Sequence, residues 1–322
     1  MSSMNTTMLK NLAGIDERMR ENLSSDVPLI PLISDHLLSG GGKRIRPLLV
    51  ILCARLCGYH RSDLLDLASA VEFIHTASLL HDDVVDGSAL RRGRASANSV
   101  WGNEASVLVG DFLFARSFTI LVRFGNPRIM EILSSATEVM AEGEVLQLAN
   151  IRNPCSDIDH YLHVVRCKTA ALMAAACRCG AVMGGTDSAR ELALECFGLD
   201  MGMAFQFVDD LLDYVGTEDE FGKARGRDLA EGKLTLPLLH ALRKGAPEER
   251  EGVMSVVSRG NKTAADFQRV FSFIERYDGI GEARKVARER VENAKGHLRI
   301  FPDSAEKKEL LGLADFLMER RR

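Results

Sequence analysis

SDLLDLASAVEFIHTASLLHDDVVD, residues 62–86, carries the first clue to the fold. Leu64, Leu67, Ala68, Val71 and Ile74 recur at spacings of three and four, no Pro or Gly interrupts them, and the run closes on Asp82, Asp83 and Asp86. That period predicts a long apolar helix ending in acid. A second stretch, 187–215, repeats the plan and ends in Asp209-Asp210-Leu211-Leu212-Asp213. The two read as equivalent helices facing each other across a shared cavity. The same spacing predicts further helices over 5–22, 28–38 (stopped by Gly40-Gly41-Gly42), after Pro47, over 103–124, 127–149 and 157–184, and several shorter amphipathic ones in 235–320. Strict alternation is rare and no Gly-rich or Ser-rich linker occurs, so the expectation is an all-α chain, a single domain over 1–322.

In a helix, i and i+4 share a face, so Asp82 projects with Asp86 and Asp209 with Asp213, while Asp83 and Asp210 flank them. Like charges at this spacing, at a helix C-terminus, are destabilising. Such crowding is tolerable where a cation binds, and Mg2+, which takes one or two carboxylates plus phosphate oxygens and water, is the natural candidate. A solvated acidic helix end is the alternative for one cluster. Two clusters preceded by Phe73, Ile74, Leu79 and Leu80, and by Phe205, Phe207 and Val208, do not resemble ordinary surface.

Basic segments stand near both clusters: Gly40-Gly41-Gly42-Lys43-Arg44-Ile45-Arg46-Pro47, Arg91-Arg92-Gly93, Lys168-Thr169, and the Gly-rich run 222–233 with Lys223 and Lys233. Each alone could be an inter-helix turn or an ion pair. Together they suit polyanionic ligands such as diphosphates. The first is not a P-loop, whose GxxxxGK[ST] spacing is missing. The net charge of −4 gives no argument for nucleic acid. The seven cysteines are odd in number and lie mostly in apolar helical stretches, which suggests reduced core thiols. The N-terminus lacks the apolar core of a signal peptide, and no membrane span is expected.

These motifs resemble the trans-type polyprenyl diphosphate synthases, most of all the bacterial octaprenyl type: GGGKRIRP (40–47), EFIHTASLLHDDVVDGSALRRG (72–93), GNEASVLVGDFLFARSF (102–118), AEGEVLQL (141–148), KTAAL (168–172), FQFVDDLLDY (205–214) and GKARGRDLAEGKLTLPLL (222–239). The resemblance implies the isoprenoid synthase fold, a bundle of long helices around a deep central cavity, in a cytoplasmic homodimer. It implies Mg2+, three ions per site, with Asp82, Asp86 and Asp209 as direct ligands and Asp83, Asp210 and Asp213 in support. It places the allylic diphosphate (C10–C20) on Arg91, Lys168, Thr169, Gln206, Lys223 and Lys233, and isopentenyl diphosphate on Lys43, Arg46, His75 and Arg92. His75 lies two helical turns before Asp82, which fits a ligand aimed into the same cavity. The implied reaction is ionisation, condensation and elimination, with the released diphosphate as proton acceptor. In this family bulky residues four and five positions before the first Asp give short products. Ala77 and Ser78 are small, so the expectation is a long product, about C40, for quinone side chains, which partitions into the membrane. A short-chain farnesyl or geranylgeranyl diphosphate synthase, a class I terpene cyclase and an inactive partner subunit are the alternatives.

Overall fold

The structure is a computed structural model that describes residues 6–40, 44–152, 156–215 and 226–319, without the side chains of 6–12, 39 and 150–152. Among the described residues it is helical apart from one small hairpin. The elements are α1 Thr6–Asn22, α2 Leu29–Ser39, α3 Ile45–Leu56, α4 Leu64–Val85, β1 Leu90–Arg91, β2 Arg94–Ala95, α5 Ala97–Trp101, α6 Asn103–Phe124, α7 Pro127–Arg152, α8 Ile158–Val165, a π turn Arg166–Ala170, α9 Ala171–Met183, α10 Ser188–Val215, α11 Arg227–Ala230, α12 Leu236–Lys244, α13 Pro247–Val257, α14 Ala264–Arg276, α15 Gly279–His297, a 3-10 turn Leu298–Ile300 and α16 Ala305–Glu319.

The punctuation is local chemistry. Gly125, at φ 74°, ends α6, and Asn126 then caps α7 by accepting from the amides of Arg128 and Ile129 at 3.1 and 3.3 Å. Thr263 and Asp266 form a reciprocal capping box on α14. Three features differ from expectation. The third helix starts at Ile45, two residues before Pro47, which sits inside its first turn. The helix expected over 157–184 runs from Ile158 to Met183, but it carries a π turn at Arg166–Ala170 between α8 and α9. Arg91-Arg92-Gly93 belongs to an antiparallel hairpin, with Leu90 opposite Ala95 and Arg91 opposite Arg94. Arg92 (φ 51°) and Gly93 (φ 76°) supply the two positive-φ positions of its turn.

The contacts gather the chain into two compact units. One comprises Met1–Thr137, Ala175–Glu195 and Phe301–Lys307; the other comprises Glu138–Ala174, Cys196–Ile300 and Lys308–Arg322. In the first, α4 is the central helix, packed on α3, α1 and most extensively on α6. Its middle is buried all round, from Leu67 through Ile74, which is why its sequence is apolar on more than one face. In the second, the apolar side of α10 (Met203, Phe207, Val208, Leu211) packs with Tyr161, Val165, Leu236, Leu239, Ala283 and Ala287. A neighbouring cluster around Tyr214, Leu238, Val256 and Ile274 continues that core.

α6 is long and apolar enough to cross a membrane by length and composition alone. Here it lies against α4, with Val109, Gly110, Leu113, Ser117 and Leu121 buried. The six described cysteines are free thiols. Burial pushes the pKa of Cys57 up to about 12 and those of Cys53 and Cys179 upward as well, so these thiols stay protonated. Cys155 lies outside the described residues.

Arg44 ties the first unit together. Its guanidinium donates to Glu72 Oε1 at 2.8 Å, to Asp16 Oδ1 at 3.1 Å and to the carbonyl of Leu38 at 2.7 Å. One side chain thus joins α1, α4 and the end of α2, from a backbone in the left-handed region at φ 45°. A non-glycine residue there costs about 1–2 kcal/mol, which the buried bonds offset. Arg44→Met therefore leaves Glu72 charged and buried without its partner, and the expected loss is about 3–5 kcal/mol in a urea titration. A loss under about 1 kcal/mol would show that Glu72 finds another partner or a proton.

Candidate active site

The first acidic cluster sits where α4 runs out. Asp82 and Asp86 are half-buried on one face, whereas Asp83 is fully buried. Asp83 Oδ2 accepts from Arg91 Nε at 2.7 Å, and its carbonyl accepts from Ser88 N at 2.9 Å and Asn98 Nδ2 at 3.1 Å. So Asp83 anchors the hairpin to the helix end, while its Oδ1 is buried without a hydrogen-bond partner among the described residues. Gly110 of α6 allows this end of α4 to seat closely: a Cβ there would collide with the ring of His81, beside Asp82.

Two turns down α4, His75 lies within the electrostatic reach of four arginines. Burial holds its imidazole well below the ordinary histidine pKa, and Arg46, Arg92, Arg91 and Arg44 push in the same direction. Arg92 makes no hydrogen bond or ion pair with any described residue and stands exposed on the hairpin turn. The arrangement is a neutral imidazole among cations, suited to an anion. In a ligand-free sample His75 should remain neutral at pH 6, and added inorganic pyrophosphate should raise its pKa. Imidazole nitrogen NMR shifts read both, and a His75 already charged at pH 6 would break the argument. The folded chain resists a proton that the unfolded chain accepts near 6.5, so this residue's share of stability is lost as pH falls below that value. Lys43 lies outside the described residues. Ala77 is fully buried, and Ser78 is half-buried with its hydroxyl donating to the carbonyl of His75 at 2.8 Å.

The second cluster ends α10, in the other unit. Asp209 is half-buried and Asp210 is 2% exposed. Asp210 Oδ1 accepts from Gln206 Nε2 at 2.8 Å, and Oδ2 accepts from the hydroxyl of Tyr161 at 2.5 Å. Asp213 turns to the backbone: its two oxygens accept from the amides of Arg227 and Asp228, each at 3.1 Å, and its carbonyl accepts from Gly226. It therefore anchors α11. Burial raises the pKa of Asp210 to about 6, with Asp209 and Asp213 adding to the rise against the hydrogen bonds of Tyr161 and Gln206. Burial, then Asp210 and Asp213, raise Asp228 well above the carboxylate range.

Of the cations expected here, Lys168 and Lys233 line one cavity. Lys168 and Thr169 lie on the π turn, where the wider turn puts both on the side facing a cavity of ≈ 160 Å³ that Gln206, Asp210, Asp228 and Lys233 also line. Lys168 donates to Glu144 at 2.7 Å, Thr169 to Gln206 Oε1 at 3.0 Å, and Lys233 pairs with Glu231 at 2.7 Å. Gly202 lets α10 approach this turn, since a Cβ there would lie 2.5 Å from the Cα of Ala170. Lys223 lies outside the described residues. Sequence reasoning missed Tyr161, Glu144, Gln147 and Asp228, all part of or bound to this cavity's lining.

The donor set fits a hard divalent cation. Taken separately, each cluster offers carboxylate oxygens: in the first unit Asp83 keeps a buried orphan oxygen, and in the second the crowding of Asp210, Asp213 and Asp228 is of the kind a bound cation relieves. Among the described residues no three His, Cys, Asp or Glu side chains converge closely enough to hold a metal unaided. Mg2+ needs fewer, since phosphate oxygens and water complete its shell.

Comparison with known proteins agrees with this chemistry. Residues 27–274 match the polyprenyl synthetase family. The chain is 40% identical over 322 residues to octaprenyl diphosphate synthase of Escherichia coli K12, covering 100% of this chain and 99% of that one. It is 42% identical over 306 residues to octaprenyl diphosphate synthase of Haemophilus influenzae, covering 95% and 93%. Among solved structures, a polyprenyl synthase from Caulobacter crescentus, complexed with calcium and isoprenyl diphosphate, is similar with a TM-score of 0.92 and 44% identity, over 98% of this chain and 96% of that one. A decaprenyl diphosphate synthase from Rhodobacter capsulatus gives 0.93 and 43%, over 98% of each. With an all-helical isoprenoid synthase fold and an acid-and-cation site, the chain belongs to the polyprenyl synthetase family and is a prenyltransferase.

Proposed function

We propose that this chain is a Mg2+-dependent trans-polyprenyl diphosphate synthase that condenses isopentenyl diphosphate head-to-tail with an allylic diphosphate of C10–C20, and that its product is all-trans octaprenyl diphosphate, about C40, for a quinone side chain. The observation that carries the reading is that cations stand beside each acidic cluster: Arg91 bonded to Asp83 in one unit, and Lys168 and Lys233 lining a cavity with Asp210 in the other. Two such sites suit a reaction between two diphosphates.

Mg2+ would be held by Asp82, Asp86 and Asp209, three ions in all, and supplies positive charge to the allylic diphosphate as its C–O bond breaks. Lys168, Lys233 and Lys223 hold that diphosphate and offset the charge growing on it, with Arg91 alongside. Thr169 and Gln206 orient it. His75, neutral, donates a hydrogen bond to isopentenyl diphosphate, with Lys43, Arg46 and Arg92 as its charged partners. Val164, Val165 and Leu234, which line the same cavity as Lys168, keep water from the allylic cation. The proton lost at the end goes to the released diphosphate.

Product length follows from Ala77 and Ser78, whose small side chains set no floor below Asp82. A related chain at 36% identity is a short-chain isoprenyl diphosphate synthase of Methanothermobacter thermautotrophicus, so similarity alone does not choose the length. We read the whole chain as one catalytic domain, working as a cytoplasmic homodimer whose product partitions into the membrane. Support for a dimer comes from the outer side of α6, where Val107, Leu108 and Val122 are exposed. The test is direct: incubate the protein with Mg2+, labelled isopentenyl diphosphate and each starter, then size the dephosphorylated products. Chains near C40 support the reading. C15 or C20 as the end product would overturn the length, and a hydrocarbon released without isopentenyl diphosphate would overturn the reaction.

A further inference from the structure

The hydroxyl of Tyr161 has no role in that chemistry, yet it faces the same cavity as Lys168 and Asp210. The ring lies in the core, stacked on Phe207 with centroids 6.0 Å apart. Its hydroxyl takes Asp210 Oδ2 at 2.5 Å, a charge-assisted bond shorter than an ordinary O–H···O contact. The opposite oxygen of Asp210 is held by Gln206, and Gln206 in turn by Thr169. Three hydrogen bonds thus run without a break from the π turn, through α10, to α8. All four side chains are buried or half-buried in the second unit.

We propose that Tyr161 is a positioning residue: its hydroxyl, with Gln206 and Thr169, fixes the carboxylate plane of Asp210 and couples it to the Lys168–Thr169 turn, so that a Mg2+–diphosphate complex meets an arrangement already set. The inference rests on the proposed function for the identity of the diphosphate. A bond that merely stabilised the core would act otherwise. Phenylalanine keeps the ring and its packing, so losing only the hydroxyl would then alter stability and leave metal and diphosphate binding alone. If the hydroxyl positions Asp210, its loss frees a buried carboxylate oxygen beside Asp209, Asp213 and Asp228, and the carboxylate turns away from its place.

The experiment titrates inorganic pyrophosphate in the presence of Mg2+ into the full-length protein by calorimetry, for wild type, Tyr161→Phe, Asp210→Asn and the double variant. Steady-state KM for starter and for isopentenyl diphosphate is measured alongside. Tyr161→Phe should weaken Mg2+-dependent pyrophosphate binding about ten-fold, the scale of one hydrogen bond to a charged group. It should raise the Mg2+ half-saturation and the starter KM in parallel and leave the KM for isopentenyl diphosphate unchanged. In the Asp210→Asn background the further loss should be small, because the two act as a unit. Binding within two-fold of wild type, or a loss that adds in full to that of Asp210→Asn, would overturn the proposal. Should Tyr161→Phe fail to fold, Thr169→Val tests the far end of the same relay, with an unchanged Mg2+ half-saturation as the contrary result. If wild type makes no prenyl product the reaction assignment fails, yet the pyrophosphate titration still reads Tyr161. If wild type is active and Tyr161→Phe binds normally, only the Tyr161 inference falls.

Discussion

Asp82→Ala should abolish turnover, by about 10³-fold or more, while the helical fold stays intact, and Asp209→Ala should do the same. The size follows from the charge being removed: several kcal/mol of transition-state stabilisation depend on the cation these carboxylates would hold, and each ~1.4 kcal/mol is a factor of ten in rate. Asp82 is in the last turn of α4, where the helix dipole disfavours an anion and Asp86 repels it at i+4, so the helix itself gains nothing from a charge at 82. The other acids of the two clusters should behave differently. Asp83 is buried and paired with Arg91, and Asp213 accepts two amide bonds from α11. Alanine at either site takes away structural bonds, so lost activity should come with a lower melting temperature. Parallel circular dichroism melts and product assays separate the two classes. Near-wild-type turnover in Asp82→Ala or Asp209→Ala would end the metal assignment.

That division among six aspartates shows where sequence reasoning stops. The helices were legible because spacing reports burial and because Gly and Pro mark ends, so 62–86 and 187–215 are found at Leu64–Val85 and Ser188–Val215. The acidic clusters were legible as clusters. Which carboxylate is buried was not, since Asp83 is enclosed by Arg91 of the hairpin and Asn98 of α5, which its own helix does not reveal. Arg44 could not be told from Lys43 or Arg46 in a run of cations; burial against Glu72 singles it out, and Glu72 is distant in sequence. The π turn at 166–170 has no compositional mark. Tyr161 is hidden for the same reason. It precedes Lys168 by seven residues, as His75 precedes Asp82, but the π turn between them breaks the two-turn spacing that applies to His75.

Ala77→Tyr should shorten the product from about C40 toward C15–C20. Ala77 and Ser78 are five and four residues before Asp82, about 6–7.5 Å below the cluster at 1.5 Å per residue, so a phenol ring there would stop a growing chain after few additions. Ala77 is completely buried, and a tyrosine placed in tight packing rather than beside a chain would overpack the core at a cost of about 1–3 kcal/mol. The two outcomes are separable. A tunnel wall predicts a shorter product with a near-normal melting temperature and undiminished use of the starter. A packed core predicts a less stable enzyme with its product length unchanged. Ser78→Tyr, at the half-buried neighbour, gives the ring a way out of the core and carries the test if Ala77→Tyr is too unstable to assay. Full-length product from both variants, each well folded, would mean that the chain does not grow along this face of α4, and the floor of the cavity would then have to be sought on another helix.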